Sequence, residues 1–499
     1  MQKTIPKINA KIKSGDVSVV TAQQMIEIVR EKGAKKAADE IDVVTTATMG
    51  AMCSSGVFLN FGQSEIPTKL QKVWLNGVEA HGGLAAVDIY LGATQQSDND
   101  PEYGGGDVIE DLVSGKEIGL KARSVGTHCY PGKKIKTRVT INDLNQAILM
   151  NPRNAYQNYN AAANSSNRRL YTYMGILSPR LGNVTYSSAG QLSPLLNDPH
   201  LLTIGTGTRI FLGGGTGYVI CSGTQHNTEV AEVNGVPSGP ARTLMVSGDL
   251  KSMNGEFLRA AHFKGYGTSL YVGIGVPIPI LSEDIAKFTA VSNSEIFTNI
   301  VDYSVERRER PVLKSVSYDK LRSGDIDIDG KKVKTSSLSS YAKALKIANL
   351  LKKMIENNEF ELTEKLMTLP QSSFKPMREI HREILVKDIM RSATACDIDS
   401  DIYDVASALI ENSINHIPIL KNGEMVGIVT SWDIAKSVAS GKNKLEDIMT
   451  KMVVTVNYDQ TVESAAKKMA DHHISALPVI KDKKVVGVIS SEGMSKLLS

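Results

Sequence analysis

The strongest constraint on this chain is that its C-terminal part repeats itself. HIPIL from His416 reappears as ALPVI from Ala476, and VGIVTSWD from Val426 as VGVISSEG from Val486, each 60 positions later. The element DIM at Asp388 recurs at Asp447, after 59 positions, so the copies differ by one residue. Each copy reads as helix, strand, turn, strand and helix. Self-similarity on this scale means two like modules that bury their apolar faces against each other. Residues 385–441 and 442–499 are therefore expected to form one two-module α/β domain, reached from residues 1–370 through a linker at 371–384.

In the first copy the second strand carries Gly427 and leads to Thr430 and Asp433. A hydroxyl and helix-start amides at Thr430 suit a phosphate or ribose oxygen, and the Asp433 carboxylate can accept from both ribose hydroxyls. In the second copy Ser490 is followed by Gly493 at the Asp position, so one complete and one degraded nucleoside site are expected. The repeat resembles a tandem pair of cystathionine-β-synthase (CBS) domains, a Bateman-type module. The resemblance implies an adenosine-type ligand (S-adenosylmethionine, AMP or ATP) and a homodimer. A pair that dimerises without ligand is the other reading, because a shared fold does not guarantee a working site.

Length and composition bound the remainder. A chain of 499 residues exceeds one ordinary core and points to about three domains. A hydrophobic share of 41% with 22% charged residues is that of a globular chain. The 57 basic and 53 acidic residues are too balanced for a nucleic-acid binder by composition. Cys53, Cys129, Cys221 and Cys396 are widely spaced, with no CxxC pair and no zinc-like Cys/His spacing, so neither a metal site nor a disulfide framework is expected. A reducing cytoplasm is the expected location. The start, MQKTIPKINAKIKSGD, has no apolar core, and the longest apolar run, YVGIGVPIPIL from Tyr271, is too short and broken to span a bilayer.

Along the large domain, Thr21 with Gln24 forms a capping-box pattern ahead of a helix. Asn142 to Ala162 starts with helix-like spacing and passes into NPRNAYQNYNAA, which reads as a polar site or, preferably, an ordered surface loop. The glycines of Leu201–Gly223 fit neither a dinucleotide fingerprint nor a phosphate loop, and read as turns. Leu338, Tyr341, Leu345, Ala348 and Leu351 mark an amphipathic helix. The segment TMGAMCSSG places Cys53 where the strand-like run from Asp42 meets a flexible turn. That position presents a nucleophile well, yet on local sequence an unpaired cysteine is more often a small buried apolar filler.

Several stretches together resemble the homocysteine biosynthesis family, whose assigned activity is L-aspartate semialdehyde sulfurtransferase. They are TMGAMCSSG, NGVEAHGG from Asn76, GTHCYPGKK around Cys129, NPRNAYQNYNAA, GGGTGYVICSGTQHN from Gly213 and SSYAKALKIANLLKKMIENNEFELTEKLMTLP. The resemblance implies a mixed α+β large domain that converts L-aspartate semialdehyde to L-homocysteine with sulfide-level sulfur, and electrons from a ferredoxin-like iron–sulfur protein. It carries the functional thiols over to Cys53 and Cys129. With those thiols, a persulfide on Cys53 resolved by Cys129 is a workable sulfur carrier, provided the fold brings them within about 7 Å between Cα atoms. No tightly bound cofactor is expected, since no flavin, nicotinamide or cluster motif is present. His128 is a possible acid or base, although neighbours on an extended segment face opposite ways. His81 and His226 are comparable candidates, and Arg153, Arg168, Arg180 or Arg209 could hold the substrate carboxylate. Two other readings remain open: an adenosine-sensing binding protein with a non-catalytic large domain, and a different cysteine-dependent transferase.

Overall fold

The computed structural model describes residues 3–154, 157–306, 308–373, 375 and 384–495. The chain divides into two compact units, Met1–Lys375 and Pro376–Ser499. Most of the expected linker at 371–384 lies outside the described residues, while Leu362 is buried and Met367 pairs with Thr206, which ties that tail to the first unit.

The first unit is mixed α and β, built on a 14-stranded sheet and a 6-stranded sheet. In the larger sheet the strand Val43–Ala51 pairs along its whole length with Gly267–Pro279, antiparallel. The chain then turns at 52–55 and returns as Gly56–Asn60, which lies between Asp88–Gly92 and Gln146–Asn151. Gly56 is required there. A Cβ would stand 2.2 Å from the Tyr90 hydroxyl. The helix Tyr341–Glu356 covers this sheet with Ala344, Ile347, Ala348, Leu351 and Ile355. Burial of each large aliphatic stabilises the packing by about 1.5–3 kcal/mol. The expected apolar stripe is thus present, but its register differs: Leu338 precedes the helix, and Leu345 is only partly buried.

The N-terminal helix Ala22–Lys32 forms as expected, with Thr21 and Gln24 capping each other. The helical reading of the segment from Asn142 is corrected. Its core is the strand Gln146–Asn151, in which buried Ala147 and Leu149 alternate with exposed Gln146 and Ile148, a period of two. The amide-rich stretch after it is also not a surface loop. Asn151, Asn154, Gln157 and Asn158 are buried. Gln157 Nε2 donates to the carbonyls of Leu195 and Pro199, and Asn158 Nδ2 to those of Pro237 and Phe297. These side chains supply donors to carbonyls contributed by segments far away in the chain.

The second unit contains the repeat. In the first copy, helix Ile402–Glu411, strands His416–Lys421 and Glu424–Thr430 and helix Ser431–Ser440 follow in the expected order. The second copy repeats them as Val462–His472, Ala476–Lys481, Lys484–Ser490 and Ser491–Ser495. The copies exchange edges. Arg391–Ser392, near the start of the first copy, pairs with Lys484–Ser490 of the second, while Thr450, near the start of the second, pairs with Ile428 of the first.

Candidate active site and nucleoside site

Cys53 and Ser54 are the central residues of a four-residue turn closed by a hydrogen bond from Ser55 N to Met52 O at 3.0 Å. The turn is anchored on both sides: Met52 N donates to Leu270 O, and Ala93 N to Ser55 O. Cys53 is half-buried. Ser269 Oγ donates to its sulfur at 3.2 Å, and the Tyr266 hydroxyl also hydrogen-bonds it. Burial first, and then the neighbouring Cys53 sulfur, hold the Tyr266 phenol above its ordinary value, so it remains a donor.

The thiol borders two cavities. One, of about 350 Å³, is walled by Arg153, Tyr159, Tyr173, Met174, Ser187, Gln225, Tyr266 and Leu338. The other is more open and runs past Thr94, Gln95, Gln96 and Thr268. Arg153 and Tyr266 line both. No Asp, Glu or His is among the described residues lining either cavity. The ionisable groups are therefore a thiol, a guanidinium and phenols, a set suited to a carboxylate-bearing substrate and nucleophilic sulfur.

Three tyrosines meet at the wall of the first cavity, where Tyr159 and Tyr173 line it. Tyr159 donates to the Tyr173 hydroxyl at 2.8 Å, and the Tyr173 and Tyr303 hydroxyls are also 2.8 Å apart. The Arg310 guanidinium lies 4.1 Å from the Tyr303 ring centroid. Tyr266 packs edge-on against Tyr173 at 5.8 Å. Of these, only Tyr159 lies in a stretch the sequence singles out, NPRNAYQNYNAA. They come from segments scattered between residues 159 and 303.

Of the four arginines considered, only Arg153 lines the cavities. Arg168 pairs with Glu306 in the open, Arg180 has a left-handed backbone, and Arg209 stacks on Phe360. His226 is buried in the loop behind Gln225, where its Nδ1 accepts from Thr243 N. Burial pushes its imidazole down, which keeps it neutral. His81 is exposed at a strand end.

Cys129 and His128 occupy the tip of an exposed turn, where Thr127 N donates to Tyr130 O and Tyr130 N to Thr127 Oγ. The segment is a turn, not the extended run expected. The expected shared pocket for the two thiols does not form within one chain. From Arg123 the register runs through Lys72, His81 and Tyr90 to Phe58. The Cys129 loop leaves this block at its Asn60 end, whereas the Cys53 turn enters at Gly56. Four strand spacings of about 4.8 Å, and a strand length of about 14 Å, lie between them. That far exceeds the reach of a disulfide.

In the second unit Thr430 caps the helix Ser431–Ser440. Its amide and hydroxyl donate to Asp433 Oδ2, at 3.0 and 2.6 Å, and Asp433 N donates back to Thr430 Oγ. A cavity of about 110 Å³ lies at the second copy's Ser490, lined also by Arg391, Thr394, Asn415, His416, Ser475 and Glu492. Thr430 and Asp433 do not line it, although the Asp433 charge acts on His416. This hollow thus lies between the two copies.

Among the described residues no helix is long and apolar enough to cross a membrane. Comparison with known proteins bears on both units. The profile described as homocysteine biosynthesis enzyme, sulfur-incorporation, matches residues 17–362, and the CBS domain profile matches 386–440 and 445–499. A Methanosarcina acetivorans protein named L-aspartate semialdehyde sulfurtransferase is 51% identical, with 100% of this chain and 99% of that protein aligned. The Methanocaldococcus jannaschii protein of the same name is 50% identical over the same shares. A solved CBS domain pair, in complex with 5′-methylthioadenosine and S-adenosyl-L-methionine, is 43% identical over 23% of this chain and 94% of its own, with a TM-score of 0.22. The large unit with its thiol-centred cavities, and the exchanged repeat that follows it in sequence, belong to a chain of the homocysteine biosynthesis family of sulfur-incorporating enzymes with a tandem CBS pair.

Proposed function

We propose that this protein is an L-aspartate semialdehyde sulfurtransferase that forms L-homocysteine at Cys53. The observation carrying the reading is the position of Cys53 at the wall of a cavity that Arg153 also lines, with Ser269 and Tyr266 hydrogen-bonded to the sulfur. Arg153 offers a fork for the substrate carboxylate, and the cavity holds the aldehyde carbon against the sulfur. Starting from sulfide, the change RCHO + H₂S + 2e⁻ + 2H⁺ → RCH₂SH + H₂O balances. If the sulfur arrives as a Cys53 persulfide, its S–S bond consumes two further electrons. A ferredoxin-like iron–sulfur protein is the proposed electron source. Cys129 has no place in this pocket, so Cys53 acts without an intrachain resolving thiol.

The test supplies L-aspartate semialdehyde, sulfide and a low-potential reductant to the full-length protein and measures homocysteine. Wild type is expected to form it and Cys53→Ala not to. Equal product from Cys53→Ala would refute the reading.

The CBS pair is proposed to bind an adenosine-type ligand and to regulate the large unit. Support comes from the CBS profile match and from the polar hollow bordered by Arg391, Asn415, His416 and Ser490. Titration calorimetry with S-adenosylmethionine, AMP and ATP tests it. Binding lost in Asp433→Ala would assign the ligand to the first copy's motif, and binding lost in Arg391→Ala to the hollow. Exposed Tyr403, Ile410, Trp432 and Val438 on two contacting helices support association of two copies, which sedimentation would measure.

A further inference from the structure

The reductive step written above takes two electrons from a carrier outside the chain, and such a carrier is met at the surface. Over the whole chain 57 basic and 53 acidic residues nearly cancel. One face of the larger sheet departs from that balance.

The last three strands of that sheet in spatial order are Lys72–Leu75, Ile118–Arg123 and the edge strand Lys134–Val139. Val73, Leu120 and Ala122 are buried in the core, so Lys72, Trp74, Lys121 and Arg123 stand on the opposite face. Lys72 lies opposite Arg123, which lies opposite Lys134; Trp74 lies opposite Lys121, which lies opposite Lys136. Lys72, Lys121, Arg123, Lys134 and Lys136 are all exposed, and together they form two adjacent rows around one indole. Lys121 Nζ is 5.6 Å and the Arg123 guanidinium 5.9 Å from its ring centroid. Glu79 stands opposite Trp74, and Glu117 is taken by Arg138. Among the described residues no ion pair involves any of the five cations.

Like charges directly opposite each other destabilise a sheet. A basic edge strand blunts aggregation, and a short basic run usually marks a solvated face. Those roles account for Lys134 and Lys136 on the edge. They do not account for Lys72, Lys121 and Arg123 on the two strands inside it, nor for a partly exposed tryptophan among them. Trp and Arg are the side chains that most often anchor protein interfaces.

The face is also tied to the thiol site. Trp74 Nε1 donates to Asp98 Oδ2 at 3.1 Å, and the segment leading to Asp98 supplies Thr94, Gln95 and Gln96 to the open cavity at Cys53. From Lys72 the register runs through His81 and Tyr90 to Phe58, on the strand that the Cys53 turn enters. Three strand spacings separate the two strands, about 14 Å.

We infer that this face docks an acidic electron-carrier protein, whose carboxylates meet the two cationic rows and whose electrons pass through the open cavity to the Cys53 site. The inference rests on the proposed function and names where its reductant binds. Two electrons, from two reduced carriers or from one that holds both, complete the balance given above. The carrier leaves oxidised, and the protons come from water.

The test uses full-length protein with two reductants, a reduced acidic ferredoxin and reduced methyl viologen, a small cation that this face repels. Homocysteine formation is measured against the concentration of each. With ferredoxin, KM is expected to rise at least about tenfold between about 50 and 300 mM salt, as electrostatically steered association does. Lys121→Glu combined with Lys136→Glu should raise it about 10–100-fold at the lower salt, and Lys121→Gln with Lys136→Gln by an intermediate amount. Turnover with methyl viologen should stay within about twofold of wild type in both variants, which separates docking from a folding defect. A ferredoxin KM indifferent to salt, or one within about threefold of wild type in the Glu variant, would overturn the docking face. Equal losses with both reductants in both variants would do the same. So would a Glu variant that keeps this KM but loses binding to a labelled RNA or loses self-association in sedimentation, since the face would then belong to that partner. Wild type that forms no homocysteine with either reductant would instead bring down the reading beneath, and this inference with it.

Discussion

Cys53 and Cys129 both sit at the centre of a four-residue turn at the end of a strand of the same sheet, and their surroundings differ in almost every other respect. The Cys53 turn is stitched to Leu270 and Ala93 by backbone bonds, receives a hydrogen bond from Ser269, and opens onto cavities walled by distant segments. The Cys129 turn is a hairpin tip whose thiol and neighbouring His128 face solvent. Equal motif strength in the sequence thus corresponds to unequal chemistry in space. A thiol does work when other groups converge on it, and convergence is a property of tertiary packing.

That contrast is sharpest for the thiols themselves. Cys53→Ser is expected to lose roughly a thousandfold or more in kcat, as removal of an essential nucleophile does, while Cys129→Ser stays within about threefold. A Cys129→Ser protein as dead as Cys53→Ser would break the comparison. Next in size, Arg153→Ala should raise KM for the semialdehyde by about 10–100-fold, the scale of a lost charged hydrogen bond. Arg153→Lys should recover part of that loss, since lysine keeps the charge but not the fork. Steady-state kinetics with the same alanine change at Arg168 provides the control.

Tyr266→Phe should slow turnover about tenfold. Because burial and Cys53 hold the phenol above its ordinary 10.0, its support of the sulfur persists through that pH and is lost only above it. The alkaline limb of the rate should therefore lie above 10, and Tyr266→Phe should remove its contribution. The smallest effect belongs to the exposed turn. Gly126→Ala, at φ +76°, should cost about 1 kcal/mol in chemical unfolding and leave turnover unchanged.

Much of the scaffold was legible from local patterns. The Thr21 cap, the amphipathic Tyr341–Glu356 helix and the repeat follow from periods and caps that are properties of neighbouring residues. Two readings failed for identifiable reasons. The segment from Asn142 alternates buried and exposed side chains because it is hemmed between two strands. The amides after it are buried because they bond carbonyls of Leu195, Pro237 and Phe297, partners invisible in the segment itself. The Thr430–Asp433 motif was legible locally, whereas the hollow at Ser490 needs both copies, with Arg391 crossing to pair beside it.

The sequence by itself determined the two-module repeat, the family, and Cys53 as a residue in a turn of small neighbours. All of these are encoded by residues within a few positions of one another, or by one copy's likeness to the other. Only the tertiary structure decided which arginine lines the cavities with the thiol, that Cys129 leaves the strands at the end opposite the Cys53 turn, and that Tyr159, Tyr173 and Tyr303 share one hydrogen-bonded cluster. The physical reason is that strand order and register set these distances, and they are fixed by pairing between segments far apart in the chain.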